Sequence, residues 1–378
     1  MNKESTTVLF TGDLIPASTS GNIYSEELLC VLEDKDFSIV NLEATLTRSE
    51  DRILKTGNNF KSSPESVQHI IRGKFDAVAL SNNHIRDFGD QGVLDTLKTC
   101  KKHNILTVGA GKNIEAASEP LTVRIKGKKI VFLNYSEREF NIAGQDRPGA
   151  NPFDVIDAFY QINAAKAGSD YVIVIYHGGV EYHHLPTPEI IKRFKFLVDA
   201  GADCVVSHHT HRCSGMIEYK KKPILFGLGN FLMPTKGKAF DSWRIGLVAK
   251  IEISDDGILP LFIPTIMSHD FNLVDILTGD ERQKILNFID DISKKINNDK
   301  SIQDYWRAVY SNNTERIMKI IKSDSLLEYR LRKRFPLLFN SEITKYKHLN
   351  ILNLIRCDSH REMFINILED RYNKISSK

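Results

Sequence analysis

A chain of 378 residues is long enough for one large domain or two ordinary ones, with a substantial buried core. Its apolar fraction of 42% and charged fraction of 26% are typical of a soluble globular protein. The formal net charge of +3 is too small to indicate binding to nucleic acid or to an anionic membrane surface, so partners have to be inferred from individual sites.

The cysteines and the N-terminal segment indicate a compartment. The 5 cysteines are scattered, odd in number and in no C-x-x-C arrangement, which favours a reducing environment. The opening segment MNKESTTVLFTGD reaches a glycine and an acid after one short apolar run, so it lacks the usual core of a signal peptide. No run approaches the roughly 18 apolar residues of a membrane span. These features predict a cytoplasmic protein.

Up to about residue 230, short apolar strands alternate with amphipathic helices, the pattern of an α/β domain with a largely parallel sheet. The predicted strands are 7–10, 37–40, 77–80, 105–108, 129–134, 171–176, 204–206 and 223–226. The predicted helices are 64–72, 92–102, 153–167 and 188–200.

The pattern changes in the last third of the chain. Residues 244–267 form two period-2 runs joined by the turn-like DDG, which predicts an antiparallel hairpin closing a sheet edge. After about residue 275, helical periodicity takes over. We therefore predict one domain over 1–270 and a helical C-terminal extension over 271–378. The basic stretch RLRKRF at 330–335 leaves open a contact with nucleic acid or membrane, but a basic helix face is the simpler interpretation, and no nucleic acid is expected.

Polar clusters follow the carboxyl ends of the predicted strands repeatedly. These ends share one edge of a parallel sheet, where α/β folds place their ligands. The clusters supply Asp13, Glu43, Asn83, His84, His177, His209 and His211. Taken alone, each of these residues could have a purely structural role instead. For example, Asp13 could form a turn, Glu43 could cap a helix and Asn83 could lie in a left-handed turn.

Carboxylates crowded in one cleft repel each other unless a cation neutralises them. Oxygen and imidazole ligands without cysteine disfavour a thiolate-bound structural zinc site and favour a hard or borderline divalent metal. In the segment CVVSHHTHRCSG, alternate side chains of an extended chain share a side, so His209 and His211 face one crevice while His208 points away.

These stretches resemble a known family in a fixed order along the chain. They are TGDLIPA, NLEATLT, LSNNHIRDFGDQGVLDTL, VGAG, YHGGVEYHHLPTPE, DAGADCVVSHHTHRCSGMIEY and PILFGLGNF, and they span residues 8–231. The set resembles the bacterial capsule and poly-γ-glutamate synthesis proteins of the CapA type, a branch of the calcineurin-like metallophosphoesterases. The resemblance implies a four-layer αββα sandwich with a dinuclear metal centre at the strand ends.

The resemblance also implies roles for individual residues. The first ion would be held by Asp13 and His211, the second by Asn83, His177 and His209, and Glu43 would bridge them. The metals would be Mn, Zn, Fe or Mg. His84 resembles the histidine that acts on the leaving group, and Asp87 is placed to orient it.

The chain departs from the broader superfamily at a few positions. Ile15 stands where that superfamily has a histidine two positions after its first aspartate, which leaves the first metal with fewer protein ligands. Ser207 and Thr210 replace a glycine and a frequent proline beside the histidines, and both changes leave the imidazoles in place.

Substrate groups are harder to assign. Glu181 and Tyr182 match the family motif and are expected to line the cleft. Arg86, Arg138, Arg147 and Lys61 lie near the expected active edge and could pair with an anionic substrate, although each could equally be a solvated surface group. Arg86 and Arg147 are therefore predicted, with Glu181 and Tyr182, to bind the substrate.

Two functions from different classes remain after these observations. The first is a metal-dependent hydrolase, a phosphoesterase acting on an anionic small molecule or polymer in the synthesis of a capsule or other surface polymer. The second is a non-catalytic accessory or scaffold protein of a polymer-synthesis complex with a vestigial metal site, which Ile15 and the helical extension favour.

Overall fold

The computed structural model describes residues 5–16, 21–235, 241–321 and 341–376. The described residues fall into two compact units, one from Met1–Ile53 with Asn59–Ile302 and one from Leu54–Asn58 with Gln303–Lys378. The basic stretch 330–335 lies outside the described residues. No helix in the described ranges is long and apolar enough to cross a membrane.

All eight predicted strands are confirmed, and most extend further than the sequence indicated. The described strands are β1 Thr6–Leu14, β2 Phe37–Leu42, β3 Thr45–Leu46, β4 Lys61–Ser62, β5 Ala77–Ala79, β6 Leu106–Val108, β7 Ala110–Gly111, β8 Leu121–Ile125, β9 Lys128–Ser136, β10 Gly149–Ala150, β11 Tyr171–His177, β12 Cys204–His208, β13 Met216–Tyr219, β14 Lys222–Leu225, β15 Asn230–Leu232, β16 Ile245–Ser254, β17 Gly257–Met267 and β18 Val274–Ile276.

The four predicted helices are also confirmed, the first as a 3₁₀ turn Pro64–Ser66 that continues into an α-helix. The described α-helices are α1 Glu26–Glu33, α2 Val67–Arg72, α3 Gly89–Lys102, α4 Ile114–Ser118, α5 Val155–Ala167, α6 Pro188–Asp199, α7 Gly279–Ile296, α8 Asp299–Ile321, α9 Ser341–Arg356 and α10 Asp358–Ser376. A second 3₁₀ turn, Asp241–Trp243, precedes β16.

The strands form two large sheets, so the expectation of a single sheet edge is wrong. The first sheet has the order β18-β17-β16-β1-β2-β5-β6, with β15 also paired to β1. The second has the order β13-β14-β12-β11-β9-β8. Strands β1, β2, β5 and β6 are parallel, as are β14, β12, β11 and β9. Near-continuous apolar strands are buried on both faces, and the sequence pattern alone does not divide them between sheets.

The predicted hairpin is present, but its place in the sheet differs from the expectation. Strands β16 and β17 pair antiparallel, and β16 also pairs antiparallel with β1. Strand β18 then pairs with the far side of β17. The hairpin therefore lies inside the first sheet, and β18 forms its edge.

Alternating side chains of the strands divide between two cores. Phe10 and Phe37 pack on Phe132 of the second sheet, with ring centroids 6.1 Å and 5.5 Å apart. Leu9, which points the other way, belongs to the core that includes Leu28 of α1. On the far side of the second sheet, the ring of Tyr176 lies 5.1 Å from that of Phe194 in α6. The order of layers is helix, sheet, sheet, helix, which confirms the αββα sandwich.

The helices after residue 275 are confirmed where they are described. Helix α7 lies in the first unit, where the backbone N–H of Met216 donates to Ser293 Oγ at 3.0 Å and the ring of Phe288 lies 4.9 Å from that of His184. In the second unit, the Tyr310 hydroxyl of α8 donates to Glu362 of α10 at 3.4 Å. The domain boundary at residue 270 stays a prediction.

Candidate metal centre

Polar side chains from the strand ends of both sheets meet at one place. A close backbone approach makes this possible at Gly12, where a Cβ atom would lie 2.1 Å from the carbonyl oxygen of Gly229. Asp13 follows in β1, and its backbone N–H donates to that same carbonyl at 3.0 Å. The loop before Asn230 can therefore lie directly against the strand that carries Asp13.

A first group of possible ligands consists of Asp13, Glu43 and His211, which are all buried and whose ligand atoms lie within 4.8 Å of one another. Asp13 Oδ2 lies 3.2 Å from His211 Nδ1. Burial opposes the ionisation of Asp13, but the hydrogen bond and charge of His211 outweigh it, and the pKa of this carboxyl is lowered. The group thus presents an ionised carboxylate beside an imidazole.

A second group consists of Glu43, His177 and His209, again buried and within the same separation. His177 Nε2 lies 3.1 Å from His209 Nδ1, 3.1 Å from Asn83 Oδ1 and 3.5 Å from Glu43 Oε1. Burial, reinforced by the charges of the other histidines, holds the pKa of His177 well below its usual value. A neutral imidazole is the form that binds metals.

Glu43 belongs to both groups and is fully buried. It follows β2 directly, and its backbone N–H donates to the carbonyl of Leu14 at 2.9 Å. The structure therefore brings together all six residues predicted from the sequence as metal ligands: Asp13, Glu43, Asn83, His177, His209 and His211. Carboxylate, amide and imidazole atoms converging on one buried region are a donor set that suits divalent cations.

His84 and Asp87 lie together beside this region. His84 Nδ1 donates to Asp87 Oδ2 at 2.6 Å, and the same oxygen accepts the backbone N–H of Phe60 at 2.6 Å. The ring of Phe60 lies 4.4 Å from that of His84. His84 Nε2 lies 3.9 Å from Glu43 Oε1. The imidazole is thus held by one nitrogen while the other faces the possible ligands.

The predicted substrate residues form two pairs that differ in their surroundings, Glu181 with Tyr182 and Arg86 with Arg147. Tyr182 is 54% exposed, its ring lies 6.1 Å from that of His211, and burial together with Glu181 raises its pKa to about 12. Arg86 pairs with Asp90 one helical turn away. Arg147 is exposed and donates to the carbonyl of Ile142 at 3.0 Å. Their guanidinium groups therefore already have partners within their own segments.

The H-x-H segment folds differently from the extended chain expected of it. Strand β12 ends at His208, and His209 and His211 then adopt φ angles of +90° and +54°. A backbone turn, and not strand alternation, therefore directs both imidazoles toward the other possible ligands. His208 Nε2 lies 3.0 Å from the carbonyl oxygen of Thr11, outside both ligand groups. His209 and His211 thus lie in the groups of possible ligands and His208 outside them, but for a different geometric reason than expected, and their assignment as ligands stays a prediction.

Several residues around the ligands were not identified from the sequence. Asn41 Nδ2 donates to Asp13 Oδ1 at 2.7 Å and lies 3.3 Å from His177 Nδ1. Asn230 Oδ1 lies 3.0 Å from His211 Nδ1, and the ring of Trp243 lies 5.1 Å from that of His211. Asn41 belongs to the motif NLE and Asn230 ends the motif PILFGLGN. Their positions at or after the ends of predicted strands were the one sequence feature that pointed to a place near the ligands.

The fold and the site define an αββα protein in which possible metal-ligand residues converge at the ends of the strands. A family model described as "Bacterial capsule synthesis protein PGA_cap" matches residues 7–235. The match covers more than half of the chain, and the protein belongs to this family.

Two curated relatives are named for capsule biosynthesis or for polyglutamine synthesis. The chain is 30% identical over 210 residues to the capsule biosynthesis protein CapA of Bacillus anthracis, covering 53% of this chain and 51% of that protein. It is 31% identical over 226 residues to a probable polyglutamine synthesis accessory protein of Mycobacterium tuberculosis, covering 56% and 60%. The chain thus spans about half the length of the curated relatives it matches.

Two solved structures overlap much of the chain. A dimetal phosphatase from Danio rerio gives a TM-score of 0.33 at 8% identity, over 72% of this chain and 98% of that one. The protein TT1561 of Thermus thermophilus gives 0.35 at 10% identity, over 66% and 99%. Overlaps at these scores carry no weight for the activity of this chain.

Proposed function

We propose that this protein is a metal-dependent hydrolase of the phosphoesterase type that acts in the synthesis of a capsule, of poly-γ-glutamate or of another cell-surface polymer. The observation that carries the proposal is the position of Glu43, which belongs to two groups of buried possible ligands at once. A carboxylate shared in this way is suited to bridge two divalent cations.

The donor atoms fit two such ions. Asp13, Glu43 and His211 would hold one, and Glu43, His177 and His209 would hold the other, with Asn83 Oδ1 3.1 Å from His177 Nε2 as a further oxygen. Carboxylate, amide and imidazole ligands suit Mn, Zn, Fe or Mg. Divalent ions bound there would lower the pKa of a coordinated water and offset the charge of a phosphoryl group.

His84 is the candidate proton donor. Because Asp87 accepts from Nδ1, the second proton of the imidazolium lies on Nε2, the atom that faces the ligand groups. Phe60 packs on the ring and limits its rotation. His84 is thereby placed to protonate a leaving oxygen, and Asp87 keeps it in the required orientation.

The test uses the purified full-length chain. We expect bound divalent metal by elemental analysis and metal-dependent cleavage of simple phosphate monoesters or diesters, both lost after chelation and restored by added metal. A chain that binds metal but hydrolyses none of a broad panel of esters would contradict the catalytic part of the proposal.

A specific observation favours the second candidate, a non-catalytic accessory role. Ile15, which stands two residues after Asp13, is buried in an apolar cluster with Ala44 and Met233. The first ligand group therefore gains no imidazole from this position. If the role is accessory, His177→Ala and His209→Ala should still support polymer synthesis in cells, whereas both should abolish it if the protein is an enzyme.

The partners follow from the same argument. An anionic substrate is proposed because divalent cations and an imidazolium would face it. Association with polymer-synthesis machinery is proposed because one relative is named as an accessory protein of such synthesis. A cytoplasmic location remains our prediction from the sequence.

A further inference from the structure

Arg212 directly follows the metal-ligand candidate His211 and is buried, with 8% of its surface exposed. Its Nη1 atom is inaccessible and makes no hydrogen bond within the described part of the chain. No ion pair within 4.0 Å joins its guanidinium to a carboxylate among the side chains that the structure describes, which do not include that of Asp241. Among these side chains, a largely buried guanidinium thus lacks a counter-charge on the protein.

Such an arrangement is costly, because a buried ion needs a counter-charge or hydrogen bonds to replace its hydration. The same protein shows the usual solution at Asp203, which is also buried and lies 2.7 Å from Lys166 and 2.6 Å from Lys222. Buried polar atoms that lack partners in a protein without ligands often mark the place of an ion or ligand group.

The surroundings of Arg212 connect it to the candidate metal centre. Its guanidinium carbon lies 6.0 Å from the ring centroid of Tyr182. The ring of Tyr182 lies in turn 6.1 Å from that of His211 and 6.0 Å from that of Trp243. Tyr182 is the exposed member of this set, so a molecule reaching the centre from solvent would pass the tyrosine that packs on Arg212.

We propose that Arg212 forms an anion-binding subsite beside the metal centre, which takes a second carboxylate or phosphate of the substrate. The inference rests on the proposed function in one respect: the group to be cleaved would lie at the metals. The substrate class is then a molecule with at least two anionic groups, one at the metals and one beyond the ring of Tyr182. Arg212 fits this task better than Arg86, whose charge Asp90 balances although its Nε is also buried without a partner, or Arg147, which is exposed and donates to a backbone carbonyl.

The test is anion binding to the full-length protein after chelation, measured by calorimetry with inorganic phosphate and with glutarate as probes. We expect the wild type to bind at least one of them, and Arg212→Met to weaken binding about tenfold or more, as for the loss of charge-assisted hydrogen bonds. Arg124→Met, which removes an exposed arginine of β8, is the matched control and should bind like the wild type. Phosphate binding alone would indicate a phosphate-bearing substrate, and glutarate binding alone a carboxylate-bearing one.

Stability separates this role from a structural one. Because Arg212→Met removes an uncompensated buried charge, its Tm without anion should equal or exceed that of the wild type, and the anion that binds should raise the wild-type Tm only. Absence of binding to the wild type, or equal binding by Arg212→Met, would overturn the inference. If Arg212→Met does not fold, Arg212→Lys keeps the charge and should bind more weakly, since a lysine cannot make the bidentate contact. Metal-free binding is independent of hydrolysis, so failure of the proposed enzyme activity would leave this result intact.

Discussion

His177 Nε2 lies 3.1 Å from His209 Nδ1, although β11 carries the first residue and the turn after β12 carries the second. Strands β11 and β12 are parallel neighbours in which His177 pairs with His208, so the next residue turns its ring onto the end of β11. Two buried imidazoles at this distance repel each other when both are protonated. Because burial holds the pKa of His177 low, its ring stays neutral, and two neutral imidazoles at this distance are placed to bind one cation, as proposed above.

Glu43 is the residue whose loss should affect both ions. We expect Glu43→Gln to release both, because the neutral amide removes the one carboxylate that is shared by the two ligand groups. His209→Ala, which removes a ligand from the second group only, should leave the first ion in place. Elemental analysis of the two variants after identical dialysis measures the difference, and equal metal content would contradict a bridging role.

His208 provides a control for the neighbouring ligands. Its Nε2 faces the carbonyl of Thr11 and belongs to neither ligand group, so His208→Gln should retain the metal content of the wild type. The free energy of unfolding is expected to fall by about 1–3 kcal/mol if the glutamine cannot reach that buried carbonyl. Urea denaturation and metal analysis together test this. Loss of metal without loss of stability would show that His208 is a ligand.

Asp87 should matter for turnover and not for metal binding. We expect Asp87→Asn to lower kcat by about a hundredfold or more, because a neutral amide oxygen can still accept from Nδ1 but no longer stabilises the positive charge of His84 as proton donor. KM should change little, since Asp87 is buried behind the imidazole.

Metal content and Tm of Asp87→Asn are the controls for that experiment. Both should remain close to those of the wild type, because the asparagine side chain keeps an oxygen that can accept the backbone N–H of Phe60. A variant that loses metal together with activity would show that Asp87 supports the centre in another way.

Gly215, directly before β13, determines how closely α7 approaches the second sheet. A Cβ atom there would lie 2.5 Å from the backbone nitrogen of Ser293, so Gly215→Ala forces the helix or the loop to move. We expect a loss of about 1–3 kcal/mol in the free energy of unfolding, as for overpacked cores. Gly168→Ala is the matched control, because the nearest atom to its Cβ lies at 3.8 Å. Equal Tm values for the two variants would show that α7 adapts easily.

The sequence by itself determined most of the local structure and the identity of the ligand candidates. Short apolar runs predicted the strands, and the polar residues after them predicted Asp13, Glu43 and His177 because strand ends are where α/β folds expose side chains. The ordered motifs predicted the family and its sandwich, and both are confirmed. The strands, the ligand candidates and the family motifs each depend on a short segment of sequence, so each can be predicted from the residues of that segment alone.

Only the tertiary structure decided which strands share a sheet, and therefore which polar groups face one another. Strands buried on both faces look alike in sequence, so β11 and β12 could not be separated from β1 and β2 beforehand. The positive φ angles of His209 and His211 are uncommon for residues other than glycine, and although histidine adopts them more often than most, the local sequence does not predict them. Arg212 appears in the sequence as an ordinary arginine; its burial without a counter-charge among the described residues depends on packing that the chain acquires only when it folds.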